Sequence, residues 1–317
     1  MKEHLKIVLT DNLAADPAVI EENRKKLESL GHTFEAYDRL TNKEIIDKAA
    51  DADVLMVTNR PLSKEVIEKL PDLKLIDVAF TGVDHIPVKE AKEKGIAVCN
   101  ASGYATDSTA ELAVALMLAK LRDLDKAQKA AREGRTKDGL QARTLNGKTV
   151  GIIGTGAIGL KTAKLAKAFG AKTIGYSRTK KDTDAIDEYA DLAGLLSQSD
   201  IVSIHVPLSE QTRNLINKEA FDLMKENAIL INTARGPVVN ALDLEEALAS
   251  GKIGGAALDV FDIEPPLDPY NTLLEAPNLT VTPHIGFYSE ESMTRRAQIV
   301  FDNLYAWLDG GIQNEVK

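Results

Sequence analysis

The chain of 317 residues is poor in the groups that would point to several common kinds of function. It has one cysteine, Cys99, which excludes an intrachain disulfide framework and any metal site built from several thiolates. Nothing beside Cys99 marks a reactive thiolate, so a small buried side chain is its expected role. Positive charge is also in deficit: 39 Lys and Arg against 48 Asp and Glu leave a net charge of -9. That balance argues against a nucleic-acid or anionic-membrane surface, and an anionic substrate would need a local positive site. No apolar run approaches the roughly 18 residues of a membrane span, and the first ten residues read as a strand, not a signal peptide. The cytoplasm is the expected compartment. There is no HExxH or similar metal spacing and no nucleophile elbow, so neither a metal nor acyl-enzyme chemistry is called for. Low-complexity segments and internal repeats are absent as well.

What is present is ordinary globular composition, 44% hydrophobic and 27% charged, over a length that favours two domains. Residues 1–100 alternate strand and helix patterns. Strands are predicted at 5–9, 33–37, 54–57, 75–80 and 96–98, with polar helical segments between them. A helix over 107–122 follows, for which Ser108 and Glu111 have capping-box spacing. Residues 123–148 read as an exposed helix-plus-loop arm. From 149 the rhythm resumes, with strands predicted at 150–153, 173–176, 201–204, 228–231, 255–258 and 279–281. A last helix spans about 288–309, with Met293, Ile299, Val300, Leu304 and Trp307 as a core stripe. The implied class is α/β with two parallel, doubly wound sheets.

The organising stretch is Gly154-Thr155-Gly156-Ala157-Ile158-Gly159, preceded by a buried strand and followed directly by a helix. Glycines at this spacing allow a tight turn, close backbone approach to a pyrophosphate and close helix–sheet packing. The helix would turn its free N–H groups toward the phosphates. Gly159, Ala163 and Ala166 form its small face, and Lys161, Lys164 and Lys167 its wet one.

Just past the later strands stand His205, Arg235, Asp259 with Glu264, and His284, all on the edge that carries the glycine loop. Hydride transfer between a nicotinamide and a 2-oxo acid needs a guanidinium for the substrate carboxylate, a proton donor near neutral pKa and a carboxylate to orient it. Arg235, His284 and Glu264 can fill these roles.

With these residues in view, the chain resembles the D-isomer-specific 2-hydroxyacid dehydrogenases along essentially its whole length. The resemblance rests on the glycine loop, Asn232-Thr-Ala-Arg-Gly-Pro237, Ala257-Leu-Asp-Val-Phe261 with Glu264-Pro265, and Thr282-Pro-His-Ile-Gly286. It implies a Rossmann-type cofactor domain, residues 103–284, inserted in a flavodoxin-like substrate domain of residues 1–102 and 285–317. It implies that Arg235, Glu264 and His284 are the catalytic trio and that Asp259 helps to hold the nicotinamide amide. His205, Val206 and Pro207 become part of the cofactor wall, and Thr233, Ala234 and Gly286 join the cofactor contacts. Backbone N–H groups around Thr81, Gly82 and Val83 would meet the substrate carboxylate, Arg60 would be an extra anion contact, and the assembly would be a homodimer. The resemblance is strongest to glyoxylate and hydroxypyruvate reductases, also called glycerate dehydrogenases. D-lactate and D-3-phosphoglycerate dehydrogenases are the alternatives, the latter disfavoured because the chain stops at Lys317, and a nucleotide-sensing regulator without catalysis is a third.

One departure concerns the cofactor. An acid about 20 residues past the glycine loop normally binds the NAD ribose. Here Ser177-Arg178-Thr179-Lys180-Lys181 follows the second strand, with no acid before Asp182. Hydroxyls and a cation suit a 2′-phosphate, so Ser177, Arg178 and Thr179 point to NADP rather than NAD.

Overall fold

The computed structural model describes residues 4–264 and 269–316. Pro265, quoted above beside Glu264, lies outside the described residues. The chain divides into two compact units, one of Met1–Ala105 with Tyr288–Lys317 and the other of Thr106–Phe287.

The first unit is built on five parallel strands, β1 (Lys6–Leu9), β2 (Thr33–Ala36), β3 (Val54–Val57), β4 (Leu75–Val78) and β5 (Ala97–Asn100), in the order β2-β1-β3-β4-β5. The β3 and β4 strands are buried along their whole length, as strands covered on both faces must be. The connecting helices are α1 (Pro17–Ser29), α2 (Asn42–Lys48), α3 (Lys64–Lys69) and α4 (Val88–Glu93). Local chemistry starts them: Pro17 opens α1 behind an Asp16 cap, and Thr41 with Glu44 forms a reciprocal capping box on α2. Strand order reverses between β1 and β3, which makes the loops after those strands this unit's topological switch point.

The second unit opens with α5 (Thr106–Leu121) and α6 (Leu124–Arg132), and then carries seven parallel strands. These are β6 (Thr149–Ile153), β7 (Lys172–Tyr176), β8 (Glu188–Tyr189), β9 (Ile201–Ile204), β10 (Ile229–Asn232), β11 (Gly255–Leu258) and β12 (Leu279–Val281), in the order β12-β11-β10-β9-β6-β7-β8. This is the doubly wound order of a Rossmann sheet with one added strand, and its switch point falls between β6 and β9. The helices α7 (Ala157–Ala168), α8 (Leu192–Gln198), α9 (Lys218–Leu223) and α10 (Ala241–Ala249) complete the layers. The α5 helix buries Ala113, Leu116, Met117 and Leu121 against α7 and the sheet. Each large apolar side chain so buried contributes about 1.5–3 kcal/mol. Its first turn begins at Thr106, so Ser108 stands inside the helix and does not cap it; the capping-box spacing was misleading because the helix runs two residues further back.

The last helix, α11 (Glu290–Leu308), belongs to the first unit and packs on β4. Its inner face carries Met293, Ala297, Val300, Phe301 and Leu304, together with three polar side chains, Ser292, Arg296 and Asn303. Trp307 and Ile299, predicted in the core, are only partly buried because they fall at the margin of that face. Cys99 is buried, and desolvation pushes its thiol up to about 12.

Candidate active site

Two of its glycines fix the shape of the glycine loop, and the third leaves it open. Gly154 has φ +98°, and a Cβ there would meet the backbone of His205. Gly156 opens α7 with free space where a side chain would be. A Cβ on Gly159 would overlap the Gly154 carbonyl oxygen, so only glycine lets α7 lie this close to the loop. The Gly154 N–H donates to the Tyr176 carbonyl at 2.8 Å, which places Ser177, Arg178 and Thr179 directly beside the loop. Arg178 and Thr179 are exposed there. The Tyr189 hydroxyl bonds the Lys181 backbone on both sides, accepting from its N–H at 3.1 Å and donating to its carbonyl at 3.3 Å.

Across the switch point, the His205 N–H donates to the Ile153 carbonyl at 2.7 Å. The His205 ring Nε2 contacts the Ser203 hydroxyl at 2.9 Å, and burial pushes the imidazole down to about 3. Burial thus favours the neutral imidazole at His205 over the protonated one.

The next strands bring the charged groups. Asn232, at the end of β10, is buried; its side-chain amide donates to the Arg235 carbonyl at 2.9 Å and accepts from the Ala234 N–H at 3.0 Å. This Asx-type brace shapes the loop that presents Arg235. Gly236 packs where a Cβ would overlap the Phe261 backbone. The Arg235 Nη1 donates to the Ala234 carbonyl at 2.8 Å.

Asp259, at the end of β11, is fully buried. Its Oδ1 accepts from the Thr282 hydroxyl at 2.5 Å and the Ile285 N–H at 2.8 Å, and its Oδ2 from the Gly286 N–H at 2.8 Å. Burial raises its pKa, while those hydrogen bonds and nearby His284 pull the other way. The carboxylate thus clamps residues 282–286 and holds His284 at φ +55°, a conformation costly for a residue with a Cβ. In this position the His284 Nδ1 lies 3.2 Å from the Glu264 Oε1, with both side chains about four-fifths buried. Phe287 packs against the imidazole edge-to-face at 5.4 Å.

Of the residues singled out in the sequence, the glycine loop, Ser177–Thr179, His205–Pro207, Thr233–Arg235, Asp259, Glu264, His284 and Gly286 all belong to the second unit. They follow the carboxyl ends of β6, β7, β9, β10, β11 and β12. Thr81, Gly82, Val83 and Arg60 belong to the first unit, after β4 and β3. There the Asn100 side chain donates to the Thr81 carbonyl at 2.7 Å, and Arg60 Nη1 donates to the Leu40 carbonyl at 3.2 Å and lies 3.8 Å from Asp11. The Asn232 brace and the bonds from Asp259 to its own chain escaped the sequence reading, although an Asn closing a buried strand before a loop is a readable signal.

The second unit suits a dinucleotide on its own evidence. The hydroxyls of Thr155 and Thr233 are buried without a partner among the described residues, on the loops that follow β6 and β10. Buried hydroxyls left unpaired by the chain mark places where a ligand atom belongs. Gly156 leaves open space at the N-terminus of the twelve-residue α7, where backbone donors favour phosphate. No group of His, Cys, Asp and Glu side chains able to hold a metal occurs among the described residues.

The model of the D-isomer-specific 2-hydroxyacid dehydrogenase NAD-binding domain matches residues 114–286. The chain belongs to this family. It is therefore an oxidoreductase with an NAD-binding domain. It is 43% identical over 261 residues to a hydroxypyruvate reductase of Thermotoga maritima, covering 81% of this chain and 85% of that one. It is 38% identical over 322 residues to a glycerate dehydrogenase of Methylorubrum extorquens, covering 98% and 99%. Among solved structures, an acyclic imino acid reductase in complex with NADPH and D-arginine superposes with a TM-score of 0.90 at 29% identity, covering 99% of this chain and all of that one.

Proposed function

We propose that the protein uses NADPH to reduce a small 2-oxo acid, glyoxylate or hydroxypyruvate, to the D-2-hydroxy acid. The observation that carries this reading is the 3.2 Å contact between His284 Nδ1 and Glu264 Oε1. Glu264 accepts the Nδ1 hydrogen, so Nε2 is the nitrogen that exchanges a proton with substrate. A bound nicotinamide supplies the hydride. Arg235 holds the substrate carboxylate through its planar fork, His284 gives the carbonyl oxygen its proton, and Glu264 keeps the imidazole oriented throughout. The names of the relatives support a 2-oxo acid as substrate. In the first unit, the N–H groups of Thr81–Val83 are the proposed carboxylate contacts, with Arg60 as a further anion contact.

The preference for NADPH rests on Ser177, Arg178 and Thr179, which stand beside the glycine loop without an acid. A carboxylate there would repel a 2′-phosphate, whereas a guanidinium and two hydroxyls attract one. Asp259, Thr155, Thr233 and the loop residues Gly154–Gly159 are assigned to the cofactor side of the site, and His205–Pro207 to its wall. The active assembly is proposed to be a homodimer.

The test is a rate panel of glyoxylate, hydroxypyruvate, pyruvate and phenylpyruvate, each with NADPH and with NADH. Fastest turnover of glyoxylate or hydroxypyruvate with NADPH is expected. Faster turnover of pyruvate, or a strong NADH preference, contradicts the substrate or the cofactor assignment respectively.

A further inference from the structure

Tyr189 is the residue on which the loop after β7 hangs. It ends the two-residue strand β8, in register with Gly175 of β7. A Cβ on Gly175 would lie 2.9 Å from the Tyr189 ring, so the bare glycine gives the ring its seat on the sheet. The segment that brings Tyr189 back to β7 is firmly tied. The Thr173 hydroxyl donates to the Ala185 carbonyl at 2.8 Å, the Thr173 N–H donates to the Asp187 carboxylate at 2.8 Å, and Lys167 of α7 reaches the same carboxylate at 2.6 Å. The Ala190 N–H completes the tie on the Gly175 carbonyl at 3.0 Å.

From this seat the phenol reaches a second stretch of chain. Its hydroxyl accepts from the Lys181 N–H and donates to the Lys181 carbonyl. Residues 177–181 are thereby pinned at both ends: at Tyr176, whose carbonyl takes the Gly154 N–H of the glycine loop, and at Lys181, on Tyr189. Between the pins, Arg178, Thr179 and Lys180 are exposed and the chain forms neither helix nor strand, so the two anchors set its course. A free loop loses conformational entropy when it closes on a ligand, and a loop already held loses less.

We propose that Tyr189 is a positioning residue for recognition of the dinucleotide's 2′-phosphate: by holding Lys181 it keeps the hydroxyls of Ser177 and Thr179 and the guanidinium of Arg178 in place before the cofactor arrives. This rests on the NADPH reading above and extends it to a residue that acts only through the loop backbone. Loss of the phenol is felt by a ligand that uses the loop, and a dinucleotide without a 2′-phosphate does not draw on it.

The experiment measures the dissociation constants of NADPH and NADH, which differ by the 2′-phosphate alone, from the fluorescence of the bound nicotinamide with no substrate present. In the wild type NADPH is expected to bind the tighter. In Tyr189→Phe, which loses the hydroxyl and keeps the ring, Kd for NADPH is expected to rise about five-fold, the scale of a lost hydrogen bond, with Kd for NADH unchanged. Arg178→Met supplies the second arm. Once the loop has lost its guanidinium, adding Tyr189→Phe should cost clearly less than it does in the wild type, because the two residues act on one contact. Gly175→Ala, which pushes the ring off its seat, should give the same selective loss and serves if the phenylalanine variant does not fold. Equal losses for NADPH and NADH mean a merely structural role and overturn the proposal, as do an unchanged Kd for NADPH and strictly additive effects with Arg178→Met. A wild type that binds NADH as tightly as NADPH overturns the NADPH reading itself, and the proposal with it.

Discussion

The Oδ2 of Asp259 lies 2.8 Å from the backbone nitrogen of Gly286. Together with the Oδ1 bonds to Thr282 and Ile285, this contact turns a buried carboxylate into the clamp that keeps His284 in a left-handed conformation facing Glu264. The proton donor of the proposed reaction is thus set by a group at the end of the neighbouring strand, and Asp259 acts as a positioning residue.

Asp259→Asn should accordingly weaken the site without removing any reacting group. The amide replaces an acceptor by a donor facing backbone N–H groups, and leaving such groups buried and unpaired costs about 1–3 kcal/mol. Turnover and melting temperature should fall together. Wild-type kcat in a folded Asp259→Asn protein would contradict the clamp.

The glycine loop yields a prediction about packing. Gly159→Ala forces a methyl group into the Gly154 carbonyl oxygen, which is backbone and cannot swing aside. Overpacking of this kind costs about 1–3 kcal/mol. A lower melting temperature and a raised KM for the cofactor are expected. An unshifted melting curve would show that α7 does not lie as close to the loop as described.

Cofactor choice turns on Arg178. Replacing it by Asp restores an acid beside the loop, and kcat/KM for NADPH should fall relative to NADH by about ten-fold or more, the scale of a lost charged contact joined by repulsion. Equal effects on the two cofactors would remove Arg178 from the assignment.

A pH-dependent prediction comes from the first unit. Asp77, in the middle of β4, is fully buried; its Oδ1 accepts from the Asn303 side chain of α11 at 3.0 Å, and its Oδ2 has no partner among the described residues. Desolvation raises its pKa from 3.8 to about 8. The folded state therefore holds a proton that the unfolded state releases, so this group's contribution is fully present below pH 3.8 and is lost as pH rises to about 8. Asp77→Asn abolishes that dependence. Denaturant unfolding of both proteins between pH 5 and pH 9 should show the variant gaining on the wild type as pH rises, by roughly 1.4 kcal/mol per pH unit at most. Parallel profiles would show that Asp77 ionises freely in the fold.

Much of this was legible in the chain. The strands of both sheets follow from short β-rich apolar runs bounded by turn residues, and the Gly154–Gly159 loop announces its own geometry, because Gly154 and Gly159 each answer a local steric demand. Residues such as Arg235 and His284 could be placed because strand ends in parallel sheets share one edge. The two-residue β8 carries too little apolar pattern to be read. Ser108 was misplaced because capping spacing says nothing about helix already formed upstream. The bonds of Asp259 to residues 282–286 and the burial of Arg296 depend on contacts across the fold, which local periodicity does not encode. On α11, Arg296 occupies a core-facing position that a hydrophobic pattern treats as an interruption.

The central claim is that His284 moves the proton in a hydride-transfer reaction. Its most direct test is the turnover of His284→Ala with hydroxypyruvate and NADPH, on protein whose melting curve shows it folded. A positioned acid–base group contributes on the order of 10²-fold or more, so kcat should drop by at least that factor. Turnover near the wild-type value would contradict the account.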